Sequence, residues 1–110
     1  MNFQHKELAE GRWQTLSFLE QMANVGSEIE RTIQWKQKGN PEYARMAFER
    51  ALELIDLTIQ DMKNRSRLRE IVRVREALAD HFFFNNTYNS TAQLWRNYFF
   101  NFAYAARAKR

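Results

Sequence analysis

Apolar residues recur at steps of three and four positions along most of the chain, which is the spacing of one face of an α-helix. The predicted helices run over about 6–38, 41–62, 65–84 and from Ser90 or Thr91 to the basic tail. Three glycines and one proline leave few interruptions between them. Since short connections favour antiparallel neighbours, we predict an all-α, antiparallel up-down four-helix bundle that forms a single domain over residues 1–110.

The clearest boundary in the pattern separates the first two helices. Gly39 suits the position just beyond a helix C-terminus, Asn40 suits an N-cap, and Pro41 suits the first helical turn. A second polar segment, 85–90, has the composition of a loop. These two segments divide the chain into helices that are short enough to pack side by side.

Each predicted helix has an apolar stripe that is expected to face the core. The stripes consist of Trp13, Leu16, Leu19, Met22, Ile29 and Ile33; then Ala44, Phe48, Ala51, Leu52, Ile55 and Ile59; then Leu68, Ile71, Leu78 and Phe82; and the fourth helix carries Leu94, Trp95, Tyr98, Phe99, Phe102, Ala103 and Ala106. The second helix also has Met46 and Leu57 on another side. We therefore expect this helix to be central in the bundle or to take part in a subunit interface, and we favour the interface.

The composition excludes several kinds of chemistry. Without cysteine the chain has no disulfide, thiolate nucleophile or zinc–thiolate site. No segment approaches the roughly 18 apolar residues of a membrane span, so we expect a cytoplasmic protein that does not associate with a membrane. A helical di-iron site needs a histidine three residues after a glutamate, and neither His5 nor His81 has that spacing. We therefore expect no metal and no cofactor.

The formal net charge of +4 hides an asymmetry between the two halves of the chain. Residues 1–62 carry seven basic and ten acidic side chains, a charge of −3, whereas residues 63–110 carry ten and three, a charge of +7. Much of the excess comes from one cluster: Lys63, Arg65, Arg67, Arg69, Arg73 and Arg75. Such an asymmetry indicates an anionic partner, or neutralisation of one half by the other.

Within this cluster, Arg65, Arg69 and Arg73 step by four and share one helix face. Arginines at this spacing suit a phosphate backbone, where counterion release supplies much of the affinity. We therefore predict that these three arginines and Lys63 bind RNA or another polyanion. The alternative is that the basic row pairs, within the chain or across a dimer, with an acidic row on the second helix: Glu49, Glu53 and Asp56.

Aromatic residues crowd the last third of the chain. Some fit the apolar stripes: Phe82, Phe99 and Phe102. Others lie off the stripes: Phe83, Phe84 and Phe100. Aromatic rings beside basic groups can stack on single-stranded nucleic acid, but a contact between two subunits is the more common use of such residues. We therefore predict a homodimer with an aromatic-rich interface.

Arg75 falls near the centre of the apolar face of the third helix, and His81 follows six residues later. A buried arginine must be paired or must border a cleft. The segment from Arg75 to His81, late in a small helical bundle, resembles the Arg-x(4-6)-His signature of the HEPN family. The resemblance implies a homodimer whose active members cleave RNA without a metal, and many members accompany a nucleotidyltransferase partner.

This resemblance makes Arg75 and His81 catalytic candidates. His81 would exchange a proton with the attacking 2′-hydroxyl or the leaving 5′-oxygen, and Arg75 would stabilise charge on the scissile phosphate. To share a site, they require that the helix ends or bends near Asp80, or that two subunits build the cleft. The competing interpretation is a core arginine paired with a carboxylate and a histidine that caps a helix or lies on the surface.

Two functions therefore follow from the sequence. The first is a non-enzymatic helical interaction module that self-associates and binds a protein or nucleic-acid partner through its basic helix face. The second is a HEPN-like metal-independent RNase, or the inactive relative that accompanies a nucleotidyltransferase.

Overall fold

A computed structural model describes residues 11–87 and 89–108 of the chain. Within these ranges there are four α-helices, two short 3-10 segments and no β-strand. The helices α1 to α4 span Phe18–Gln37, Pro41–Gln60, Leu68–Phe83 and Ala92–Ala108. The 3-10 segments span Arg12–Thr15 and Met62–Arg67. The all-α four-helix prediction is confirmed.

Side-chain contacts show that neighbouring helices run in opposite directions. The Trp35 and Tyr43 rings meet at 4.9 Å beside the connection between α1 and α2, while Glu28 and Arg50, both further from it, are also paired. The same reversal relates α2 to α3 and α1 to α4, through the pairs Phe48–Phe82 and Asp56–Arg75, and Glu30–Arg96 and Phe18–Phe102. The order of the contacts is that of an up-down bundle.

The first helix begins later than the apolar pattern predicts. Gly11 has a φ of 118°. The 3-10 segment after it ends at Thr15, and the backbone of the next residue, Leu16, is extended. Ser17 then caps α1: its hydroxyl accepts from the backbone N–H of Glu20, and the Glu20 carboxylate accepts from the Ser17 N–H. This capping box fixes the start of the helix. A continuous helix from Lys6 is therefore wrong over residues 11–17, and residues 6–10 lie outside the described ranges.

The boundary between α1 and α2 is as predicted. Gly39 has a φ of 75°, which glycine adopts without strain. The Asn40 side chain accepts from the Tyr43 N–H at 3.0 Å, and Pro41 is the first helical residue. At its other end α2 stops at Gln60, two residues before the predicted end.

The last connection is also a loop, as its composition predicts. Asn86 and Asn89 both adopt positive φ, at 50° and 53°. Of the two predicted caps for α4, Thr91 serves: its hydroxyl accepts from the Leu94 N–H at 3.1 Å. Ser90 instead accepts a hydrogen bond from the Trp95 indole N–H at 3.1 Å.

One apolar core draws side chains from all four helices. Its members include Met22, Val25, Ile29 and Ile33 from α1, Phe48, Ala51, Ile55 and Leu57 from α2, Ile71, Leu78 and Phe82 from α3, and Trp95 and Phe99 from α4. Since Leu57 is in this core, α2 buries side chains on more than one side, as a central helix does. Met46 remains exposed.

Leu68 departs from the predicted core stripe, because 40% of its surface is exposed. It is the first residue of α3, and a 3-10 segment precedes it. The buried part of the stripe therefore begins at Ile71.

Gly26 lies where α1 and α4 cross closely. A Cβ atom built on Gly26 would stand 2.7 Å from the Cβ of Phe99 and 3.0 Å from its Cγ. Helix α1 runs through this glycine without a break, from Phe18 to Gln37. The absence of a side chain at Gly26 lets the two helices approach each other.

A buried polar network joins the first 3-10 segment to the second. The Trp13 indole N–H donates to the Thr58 hydroxyl at 3.0 Å. The Gln21 amide donates to the Trp13 carbonyl at 3.0 Å and to the Asp61 carboxylate at 2.8 Å, and it accepts from the Asn64 amide at 2.8 Å. These bonds hold the start of the basic cluster against α1 and α2.

Candidate functional site

Three members of the basic cluster form an open row. Arg65 lies in the second 3-10 segment, and Arg69 and Arg73 follow on the first two turns of α3. All three side chains are exposed. Within residues 11–87 and 89–108, none of them has an ion pair or a side-chain hydrogen bond. We call these three residues the arginine row.

Two other basic side chains of the cluster are engaged locally. Lys63 pairs with the Asp61 carboxylate and donates to the Gln14 carbonyl at 3.0 Å. The Arg67 guanidinium carbon stands 4.5 Å from the centroid of the Phe18 ring. Contact of Lys63 with a polyanion stays a prediction, but its ammonium group already serves to hold the second 3-10 segment in place.

The predicted pairing with the acidic row of α2 occurs outside the arginine row. Arg75 donates from two guanidinium nitrogens to the Asp56 carboxylate, at 2.8 and 3.4 Å. Glu49 pairs at 3.5 Å with Arg45, which belongs to its own helix. Arg75 faces α2 while the arginine row faces away from it, so α2 of the same chain leaves the row open. Pairing of the row across a dimer stays a prediction.

The structure does not assemble Arg75 and His81 into one site within a chain. The helix continues unbroken to Phe83, and six helical steps turn the two side chains to different sides. The groove beside Arg75 has a volume of about 380 Å³ and is lined by Arg75, Glu76, Ala79, Asp80, Phe84 and Thr87, without His81. The predicted RNase site therefore depends on a cleft shared by two subunits.

His81 instead packs edge-on against Phe82, with ring centroids 4.6 Å apart. Its Nδ1 atom is buried and has no hydrogen-bond partner in the described part of the chain. Arg75 is only partly buried, since 37% of its side chain is exposed. Of the competing interpretation of Arg75, a core arginine paired with a carboxylate, the pairing is observed with Asp56, whereas the core position is not.

A second groove, which the sequence pattern does not reveal, separates α3 from α4. It has a volume of about 370 Å³ and is lined by Arg73, Val74, Ala77, Ser90, Leu94, Trp95 and Tyr98. The walls are almost entirely apolar. Arg73 belongs both to this lining and to the arginine row. We call this feature the α3–α4 groove.

Tyr98 is the lining residue of the α3–α4 groove that bonds across to α3. Its hydroxyl donates to the Glu70 carboxylate across the gap at 3.4 Å. Burial of the phenol and the neighbouring Glu70 charge raise the pKa of Tyr98 well above its ordinary value. The phenol therefore stays protonated at neutral pH and keeps this bridge between α3 and α4.

The aromatic residues off the core stripes are exposed, as predicted. Phe84 is 73% exposed and Phe100 is 59% exposed. The Phe100 ring stacks on Tyr104, one turn further along α4, at 6.4 Å. These rings offer apolar surface for self-association, and the homodimer itself stays a prediction.

Within residues 11–87 and 89–108, no group of three or more histidine, aspartate or glutamate side chains is placed to hold a metal ion. None of the helices in the described part of the chain has the length and apolar character needed to cross a membrane. Fold and site together define an all-α protein with exposed arginines at the start of one helix and in the 3-10 segment before it.

Comparison with protein-family models, with curated proteins and with solved structures finds no match for this chain.

Proposed function

We propose that this protein is a small helical module that binds nucleic acid, with the arginine row contacting the phosphate backbone. The observation that carries the proposal is the state of Arg65, Arg69 and Arg73: all three are exposed and unpaired within the described residues. Arg69 and Arg73 share a face of α3, whereas Arg65 lies in the preceding 3-10 segment, so the predicted continuous helix face ends at Arg69. Solvent-exposed arginines with no carboxylate partner are ready to neutralise phosphates, and each contact releases condensed counterions.

The position of the row adds a second source of positive potential. Arg65 and Arg69 flank the N-terminus of α3, where the aligned peptide dipoles place a partial positive charge. Arg69 and Arg73, four residues apart on α3, are separated by about 6 Å along the helix axis, so each can reach a different phosphate. The helix end and the side chains therefore attract the same kind of ligand.

Self-association is the second part of the proposal. Phe84, Phe100 and Tyr104 are exposed aromatic residues outside the core. A dimer through such rings would bring two arginine rows into one particle. Two linked rows bind a long polyanion more tightly than one, because the second contact is intramolecular.

The test is the salt dependence of binding to a labelled oligonucleotide, followed by fluorescence anisotropy. Three phosphate contacts predict that log K falls against log salt with a slope of about −2 for single strands and about −3 for duplex. Replacing Arg65, Arg69 and Arg73 by glutamine should reduce the slope to near zero.

A matched control removes the same charge elsewhere. Lys38, Arg45 and Arg107 are also exposed and lie outside the row; as glutamines, they should leave most of the slope in place. Equal loss in both triple variants would mean that net charge alone attracts the oligonucleotide. An unchanged slope in the row variant would refute the proposed interface.

A further inference from the structure

The α3–α4 groove lies directly beside the arginine row. Arg73 stands at the rim, and the rings of Trp95 and Tyr98 form part of the opposite wall. We propose that this groove accepts one unstacked base of a single-stranded nucleic acid whose phosphates lie along the arginine row. The inference rests on the proposed function and adds to it a preference for single strands over duplex.

The dimensions of the groove favour a flat ring over a partner helix. Its lining on α3 runs from Arg73 to Ala77, and its lining on α4 runs from Leu94 to Tyr98. Four residues of helix cover about 6 Å. An amphipathic helix docks through anchors spread over two or more turns, so this groove is too short for one.

Two hydrogen bonds involve residues of the lining. The Trp95 indole donates to the Ser90 hydroxyl, and the Tyr98 hydroxyl donates to the Glu70 carboxylate of α3. Since the lining runs only one turn along α3 and α4, the groove is a short slot that opens to the outside. A slot of this kind suits a planar ligand that enters edge first.

The positive charge of Arg73 at the rim of the groove favours a ligand that carries a phosphate. Arg73 is unpaired in the described part of the chain, and Arg69 stands one turn away. Glu70 is the acidic group closest in sequence to both, and it faces Tyr98 inside the gap. The phosphate of the inserted nucleotide would therefore lie on the Arg73 side, away from the Glu70 carboxylate.

The slot offers apolar surface and few free hydrogen-bonding groups. Trp95 belongs to the core and contributes only its 8% exposed part, so Tyr98 is the more accessible of the two rings. The Ser90 hydroxyl is already bonded to Trp95 and to Asn86. Recognition would therefore depend on apolar and aromatic contact, which tolerates every base. Duplex nucleic acid keeps its bases stacked and cannot fill the slot without unpairing, so it should use the arginine row alone.

The experiment compares a twelve-nucleotide oligo(dT) with a duplex of the same length at fixed salt. Stacking of one base on aromatic side chains predicts roughly a tenfold preference for the single strand. Ala77→Phe fills the slot and should remove this preference, while the salt slope stays the same. Oligo(U) is the second single-stranded probe and should bind like oligo(dT), because base and phosphate supply the contacts.

A second variant keeps the inference testable if Ala77→Phe does not fold. Leu94 is an exposed wall residue, so Leu94→Ser weakens the slot with little effect on the core. Met62→Ser is the matched control, since it removes an exposed apolar side chain outside the slot. We expect a loss of single-strand preference for Leu94→Ser and none for Met62→Ser.

A direct readout is the indole N–H signal of Trp95 in a ¹H–¹⁵N spectrum. Oligo(dT) should shift this signal, while the signal of Trp13, which is buried in the polar network, should stay in place. Equal affinity for duplex and single strand would overturn the inference and leave the arginine row standing. A Trp95 signal that does not move would also overturn the inference. An Ala77→Phe variant that changes the oligomeric state but not the single-strand preference would do the same. If the wild type shows no salt-dependent binding to either oligonucleotide, the proposed function itself is refuted.

Discussion

The close crossing of α1 and α4 at Gly26 predicts the effect of adding one methyl group. In an open helix Gly26→Ala would stabilise the protein by about 1 kcal/mol, since alanine is the better helix former. Here the new Cβ would stand 2.7 Å from the Phe99 Cβ, which is fixed directly to the α4 backbone. No side-chain rotation can relieve that contact, so the two helices must separate.

The magnitude follows from these opposing effects. Overpacking a well-packed core costs about 1–3 kcal/mol, and a contact with a backbone-anchored atom belongs at the upper end of that range. After the gain in helix propensity, the net loss is about 1–2 kcal/mol. For a domain of this size the loss lowers the melting temperature by roughly 5–10 °C.

The assay is thermal unfolding followed by circular dichroism at 222 nm. Ser27→Ala is the matched control, because Ser27 is the exposed neighbour of Gly26 on the same helix. It gains helix propensity without a clash and should melt at or slightly above the wild type. If Gly26→Ala also melts at or above the wild type, the close packing of α1 on α4 is refuted.

Three further predictions concern pH, catalysis and assembly. Burial alone would raise the pKa of Asp61, but hydrogen bonds from Lys63 and Gln21 outweigh it and lower the pKa below 3.8. The stability from Asp61 is therefore present above pH 3.8 and is lost as the pH falls below it; urea unfolding of Asp61→Asn should show a weaker pH dependence there. If two subunits build an RNase site, the wild type should cleave RNA in EDTA and His81→Ala should not; no cleavage by the wild type ends that interpretation. Phe100→Ser should weaken self-association in sedimentation velocity, and an unchanged sedimentation coefficient would place the interface elsewhere.

Local signals in the sequence predict the helix boundaries well where the chemistry is local. Gly39, Asn40 and Pro41 act through their own backbone and side chains, and the boundary they predict is the one observed. The capping box of Ser17 and Glu20 is equally local, and the Ser-x-x-Glu spacing that marks it is present in the sequence. The apolar period alone predicts a start of the first helix that is too early.

The state of the basic cluster could not be read from the sequence, because it depends on the rotation of α3 about its axis. That rotation turns Arg75 toward Asp56 and leaves Arg69 and Arg73 in solvent. The α3–α4 groove is hidden for the same reason, since it depends on the distance between two helices. One sequence feature does point to the groove: Leu94 and Tyr98 are one turn apart on α4, so both lie on the face that lines it.

The polar network around Gln21 has a consequence for the thermodynamics of binding. Asn64, which donates to Gln21, is the residue just before Arg65. The backbone at the start of the arginine row is therefore ordered before any ligand arrives, and binding has only side-chain rotamers left to restrict. Such preorganisation lowers the entropic cost of association. Disruption of the network at Trp13, on the far side of Gln21 from the row, should therefore weaken the binding of a polyanion without removing any contact with it.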